Sequence, residues 1–114
     1  MANTFTKSTK SSLLTADVTS SATTNIITAG STATLIILSV LISNKTGSSA
    51  NVNVYLLPSS GDAVFLLKNA PVPAGSSLEM IQGSKIIITA NDVIRASADT
   101  ASALDITISY LLQN

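Results

Sequence analysis

The sequence predicts an all-β fold, an antiparallel β-sandwich of the jelly-roll or immunoglobulin-like type with about seven or eight short strands and an extended N-terminal arm. The apolar segments that predict it are short, rich in Val and Ile, and separated by clusters of Gly, Pro, Ser, Asn and Asp. Some of these segments also alternate strictly between apolar and polar residues, as half-buried strands do. A length of 114 residues predicts a single domain spanning residues 1–114.

The N-terminal segment, residues 1–20, is expected to be an extended arm or an edge strand. It is rich in Ser, Thr and Ala, and Phe5 is the main residue near its start that could join a core. Polar residues alone do not offset about 1–2 kcal/mol of backbone entropy per residue, so the amides of the arm must find partners. We therefore expect the arm to dock on its own domain or on a neighbouring subunit.

The most apolar segment is Leu35–Ile42, which is apolar at odd and even positions. A helix is the competing interpretation, but the β-branched content, the short length and the turn cluster at residues 43–50 favour a strand with both faces covered. The next segment, Asn51–Leu56, alternates strictly, which predicts a strand with its valines and Leu56 facing the core.

A hairpin is predicted after this strand, because Pro58–Asp62 has turn composition and Ala63–Lys68 is a further apolar segment. The stretch Pro71–Gly75 follows and contains two prolines. Two prolines each remove a ladder donor, so this stretch is expected to be a connection or a sheet edge.

The last third of the chain predicts four more strands. Leu78–Ile81 and Lys85–Thr89 flank Gln82–Ser84, a spacing typical of a hairpin. Val93–Ala98 follows a turn, and Leu104–Tyr110 alternates with its even positions apolar.

The chain carries few charges: 11% of its residues are charged, six basic and six acidic, with a net charge of zero. Because charge normally keeps proteins apart, we expect other subunits to cover much of the surface, with a monomer solubilised by Ser and Thr as the alternative. Nucleic-acid binding needs clustered basic residues. It is not expected, because these are scattered singly: Lys7, Lys10, Lys45, Lys68, Lys85 and Arg95.

No membrane span and no secretory signal are expected. The apolar run Leu35–Ile42 is far shorter than the roughly 18–20 residues that a membrane helix needs. The opening residues are polar and lead into no apolar h-region, so the protein is expected to stay in the cytosol.

No catalytic, cofactor-binding or metal-binding residue is predicted, and the protein is not expected to be an enzyme. His and Cys are absent, which removes the usual nucleophiles, bases and thiolate ligands. The carboxylates are isolated and mostly at predicted turns: Asp17, Asp62, Glu79, Asp92, Asp99 and Asp105. Glu79 with Asp105 is an example of a pair that could still form in three dimensions. Asn44–Thr46 matches a glycosylation sequon, which we interpret as coincidence because no signal peptide is visible.

Glycan binding is the strongest rival to a structural role, since β-sandwiches often bind sugars. Its usual aromatic platforms are scarce, because the chain has no Trp, two Tyr and two Phe. Tyr55 is predicted on an outer strand face, either as an interface anchor or as an ordinary exposed tyrosine.

Four segments of the chain carry a resemblance to a known group. The opening Met1–Phe5, the middle Leu67–Leu78 and the segments Ile86–Ser97 and Leu104–Leu111 resemble small virion proteins of tailed phages of marine and aquatic bacteria, cyanophages among them. The resemblance implies a β-sandwich virion component without enzymatic activity, present in many copies on the head, neck or tail. The run Leu35–Ile42 is longer and bulkier than that group suggests.

The leading hypothesis is a capsid decoration or cement protein in the virion, assembled in the host cytoplasm. A neck or tail component is the first alternative, and a module that binds a host glycan or receptor is the second. The expected partners are further copies of the chain, as a trimer or larger ring, and the major capsid protein or neck and tail proteins. Neither nucleic acid nor membrane is among them.

Overall fold

The computed structural model describes residues 3–80 and 85–113. Within them the chain is all-β, with one short 3-10 helix at Ala22–Thr24 and no α-helix. The strands are β1 (Asn3–Lys10), β2 (Asn25–Thr28), β3 (Thr34–Asn44), β4 (Ala50–Leu57), β5 (Val64–Val72), β6 (Ser77–Met80), β7 (Ile86–Thr89), β8 (Val93–Ala98) and β9 (Leu104–Gln113).

Two antiparallel sheets pack face to face, which confirms the predicted all-β, sandwich-like architecture. Sheet A has the order β1-β9-β3-β6, with β7 also paired to β3, and sheet B has the order β2-β8-β4-β5. The inner faces enclose one apolar core, as packed sheets require. Its largest fully buried side chains are Leu13, Ile37, Ile42, Ile88, Ile94, Leu104, Ile106 and Ile108.

The segment predicted as an arm or an edge strand contains β1, the edge strand of sheet A. β1 pairs with β9 along its whole length, from Asn3 opposite Gln113 to Lys10 opposite Ile106. The hydroxyl of Ser8 also donates to the carbonyl oxygen of Ile26 in sheet B at 3.0 Å. Phe5, the main residue of this segment that could have joined the core, lies outside it with its side chain 76% exposed.

The run Leu35–Ile42 lies in β3, as predicted, and a β-bulge explains its pattern. The register against β9 shifts between Ile37 and Ser39, so Leu38 is the extra residue. Such a bulge changes which positions face inward, so Leu35 and Ile37 are buried before it and Val40 and Ile42 after it. The other face of β3 is only partly covered within the chain.

The predicted strand Asn51–Leu56 lies in β4, and the hairpin that β4 forms with β5 is confirmed. β5 continues past the predicted end at Lys68 through Pro71, which lies opposite Asn51. β5 is the edge strand of sheet B, so a proline is tolerated there because its missing N–H costs no ladder bond.

The hairpin predicted between Leu78–Ile81 and Lys85–Thr89 is wrong. β6 and β7 both pair with β3, one after the other along the same edge. The expected turn Gln82–Ser84 lies outside the described residues. The strand predicted at Val93–Ala98 is confirmed as β8, and that at Leu104–Tyr110 is confirmed and extends to Gln113.

Candidate functional site

The one carboxylate pair considered from the sequence does not form. Glu79 lies on β6 and Asp105 on β9, with β3 between them. Asp105 is instead held by the backbone N–H of Ser12 at 2.8 Å and by the ammonium of Lys45 at 2.9 Å. These donors, Ser12 first, lower the pKa of Asp105. The carboxylate therefore stays ionised as an anchor for the chain between β1 and β2.

Two further carboxylates close turns. Asp92 accepts the backbone N–H groups of Thr89 and Ser59, each at 2.9 Å, and these bonds lower its pKa. Asp17 accepts the hydroxyl and backbone N–H of Thr19, which lower its pKa in the same way. Within residues 3–80 and 85–113, no group of three or more acidic side chains is placed to hold a metal ion.

Asn44, the acceptor position of the sequon, is buried at the end of β3. Its side-chain nitrogen donates to the carbonyl oxygens of Ser48 at 2.8 Å and Val72 at 3.0 Å. Its side-chain oxygen accepts from Thr46. Only 3% of Asn44 is exposed, so its side chain serves the loop between β3 and β4 and is not accessible for glycosylation in the folded chain.

The outer face of sheet B carries a shallow groove of about 430 Å³ between the sheet and residues 15–19, which we term the covering segment. This volume lies in the range of small-molecule sites. The groove is lined by Asp17 and Asp99, by Asn53 and Ser97, and by Phe65 with other residues of β5.

The polar groups of this groove are already engaged with the chain itself. Asn53 accepts the backbone N–H of Asn69 at 2.9 Å and donates to Ser97 at 3.3 Å. Asp99 accepts the backbone N–H of Asn51 at 2.9 Å. The groove therefore has the size of a ligand site, but its hydrogen-bonding groups hold β4, β5 and β8 in place.

Tyr55 lies on the outer face of sheet B, as predicted, and is half-buried. Its ring contacts that of Phe65 edge to face, with the centroids 5.0 Å apart. The ammonium of Lys68 lies 5.2 Å from the centre of the Phe65 ring. Lys68 therefore occupies one face of the Phe65 ring, where it would compete with a stacked sugar.

The outer face of sheet A carries an apolar row that spans all four strand positions. The strand registers place Phe5 opposite Leu111, Leu111 opposite Ile36, and Ile36 opposite Ile87. Phe5 is 76% and Ile87 60% exposed, whereas the two between them are half-buried. Leu41, also exposed, lies on the same face further along β3. None of these residues belongs to the core cluster, so the apolar row is a surface feature.

Sequence reasoning missed the apolar row, although one signal for it was present. In β9 the even positions from Leu104 to Leu112 face the core, so the apolar side chain of Leu111 breaks the alternation. Ile36 and Ile87 lie in continuous apolar runs, where the sequence does not show which face each residue occupies.

Within the part of the chain that the structure describes, no helix is long and apolar enough to cross a membrane. The chain matches no family model, no curated protein and no solved structure. What it does is therefore inferred from its own residues and geometry.

Proposed function

We propose that this chain is a non-enzymatic structural subunit of a tailed-phage particle, a capsid decoration or cement protein present in many copies. The apolar row on the outer face of sheet A carries the proposal. A contiguous apolar surface on a sheet face typically marks a contact with another molecule. Sugars and other polar ligands would find few hydrogen-bonding groups there, whereas a protein surface fits it.

We also infer that the sandwich is a jelly roll of eight strands, with β6 and β7 counted as one strand because both pair with β3 in succession. Its first strand then pairs with its eighth, the second with the seventh, the third with the sixth and the fourth with the fifth. This nesting of two Greek keys is found in viral capsid domains and also in lectins and cupins. The fold supports a virion role. Because the same fold serves several functions, the surface features of this chain have to distinguish among them.

Composition adds to the proposal. With 11% charged residues and no net charge, repulsion between copies is weak, as suits a subunit packed densely with others. The glycan-binding alternative is weaker, because the groove on sheet B uses its polar groups internally and Lys68 lies over its aromatic ring. A neck or tail location would use the same apolar row.

Mass spectrometry of purified particles from the phage or host whose genome encodes the chain tests this function. We expect the chain at a copy number comparable with that of the major capsid protein, and cryo-electron microscopy should show it on the outer surface of the head. A few copies at the neck or tail would favour that alternative. Absence from all particles would contradict the virion role.

A further inference from the structure

We propose that the apolar row belongs to a face-to-face contact between two copies of this chain, related by a two-fold axis. The inference rests on the proposed function as an assembly subunit and names the partner of its apolar surface. One sheet face packs well on a second sheet face of the same twist, as the two sheets of a sandwich do. A two-fold contact also lets one patch serve both partners, because the same surface is used on each.

The area of the face is sufficient for a stable dimer. Sheet A has four strand positions, about 4.8 Å apart, and its central strands of about ten residues rise about 3.3 Å per residue, so the face measures roughly 20 by 33 Å. Packing two such faces buries on the order of 600–800 Å² on each copy, within the range of roughly 600–1,000 Å² per partner that standard stable interfaces bury.

The charges on this face lie away from the apolar row, on the edge strands and at the far end of the sheet, as charged residues do at the rim of a protein interface. The ion pair of Asp105 on β9 with Lys45, which directly follows β3, lies at the end far from the apolar row. On the edge strands lie Lys7 and Glu79, and Lys85 immediately precedes β7. These rim side chains can stay hydrated when the apolar row is covered.

The position of the apolar row indicates the direction of the axis. Only one more outward-facing row, from Asn3 to Thr89, separates it from the end of the sheet. If the axis ran across the strands at the apolar row, only this end of the two faces would overlap. An axis parallel to the strands superposes the whole faces, so that Phe5 of one copy faces Ile87 of the second copy and Leu111 faces Ile36.

Sedimentation equilibrium of the full chain and two surface variants tests the contact. Ile87→Asp puts a charge into the apolar row, and the matched control Val64→Asp changes a similarly exposed apolar residue, 46% exposed, on sheet B. We expect a dimer for the wild type and the control, and a dissociation constant raised roughly hundredfold by Ile87→Asp. Circular dichroism should show that both variants fold. A wild-type monomer at about 100 µM, or equal effects of the two variants, would overturn the proposal.

Crosslinking tests the axis, and the absence of cysteine from the chain makes it specific. Asn3→Cys and Thr89→Cys lie at the two ends of the row beside the apolar one, on opposite edges of the sheet. Packed sheets lie about 10 Å apart, beyond the reach of a disulfide, so a short bismaleimide is used. We expect crosslinked dimers when the two variants are mixed, and none from either alone. Crosslinking of Asn3→Cys with itself would overturn the parallel axis.

These results are independent of the test of function. A dimer in solution whose chain is absent from particles would leave the contact standing and remove the virion role. A chain that is monomeric in solution and abundant on particles would keep the virion role and remove the contact between copies. The partner of the apolar row would then be a different virion protein.

Discussion

The outer faces of the two sheets differ in composition and in what covers them. Sheet B presents polar outward side chains, among them Asn53, Arg95 and Ser97, and the covering segment folds over part of them. Ser97 and Val18 are each 3% exposed, yet Val18 is outside the core cluster. Sheet A presents the apolar row, and within the described residues no segment of the chain lies over it.

The chain therefore covers part of its polar face with its own loop and leaves the apolar face open. Hydrogen bonds hold the loop: the guanidinium of Arg95 donates to the carbonyl oxygen of Val18 at 3.0 Å and to the side chain of Asn25 at 2.7 Å. A directional polar surface suits a permanent intramolecular contact. A non-directional apolar surface suits a contact that a second molecule completes.

The largest effect is expected when the cover of sheet B is broken. Val18→Asp places a carboxylate at a buried apolar position beside the Arg95 guanidinium, whose donors already bond the Val18 carbonyl oxygen and Asn25, so desolvation of the new charge should still cost about 2 kcal/mol or more. The melting temperature should fall by about 10 °C or more. The matched control is Leu14→Asp in the same loop, where the side chain is 40% exposed, and it should change the melting temperature little. Equal losses for the two variants would mean that the covering segment does not protect sheet B.

A smaller effect is expected when the bonds that hold the cover are removed. Arg95→Leu keeps an apolar side chain at this position but removes both hydrogen bonds, so we expect a loss of about 1–2 kcal/mol in the free energy of urea unfolding. Arg95→Lys keeps the charge but cannot make both bonds in the same geometry, so its stability should lie between those of the wild type and Arg95→Leu. Wild-type stability of Arg95→Leu would show that packing alone holds the covering segment.

Acid should loosen the same segment through Asp17. The hydroxyl of Thr19 and then its backbone N–H lower the pKa of Asp17 in the folded chain, so this interaction stabilises the fold above the unfolded pKa. It is lost as the pH falls through the lowered folded value. Because Asp17 is exposed, the change in melting temperature with pH should be small, and Asp17→Asn should make this change smaller still. NMR of the Thr19 amide measures the event directly, and a signal that does not shift below about pH 4 would contradict it.

The smallest effect is expected on the open face. In the Ile87→Asp background, where dimerisation is removed, Phe5→Ser should change the free energy of unfolding by less than about 0.5 kcal/mol, because exposed side chains contribute little. Working in this background matters because dimerisation itself adds apparent stability. A loss above about 1 kcal/mol would show that Phe5 contacts its own chain.

The sequence predicted much of the strand content, because alternation and turn residues are local signals. β4, β8 and β9 were found in this way. The edge placement of Pro71 also followed, as one of two alternatives, from the chemistry of the proline nitrogen. The bulge at Leu38 in β3 could not be predicted from the sequence, because only the pairing with β9 shows where the inward-facing positions change.

The candidate site was harder to predict, since it depends on register. β1 consists largely of Ser, Thr and Lys, so its pattern does not show that Phe5 points outward. The sequence between β6 and β7 predicted a hairpin because Gly83 and its neighbours have turn composition. In the fold both strands have a better partner in the long apolar β3.

The central position of β9 in sheet A sets when this protein can fold. β9 lies between β1 and β3, and its register joins Asn3 to Gln113, so sheet A is made of contacts distant in sequence. Sandwiches of this kind fold in about milliseconds to seconds. During synthesis on the ribosome, β1 and β3 lack the strand that pairs with both of them. The edge of β3 that β9 will occupy stays unpaired until Gln113 has emerged. The chance of misassociation through this strand is therefore greatest during translation, before the apolar row exists as a surface.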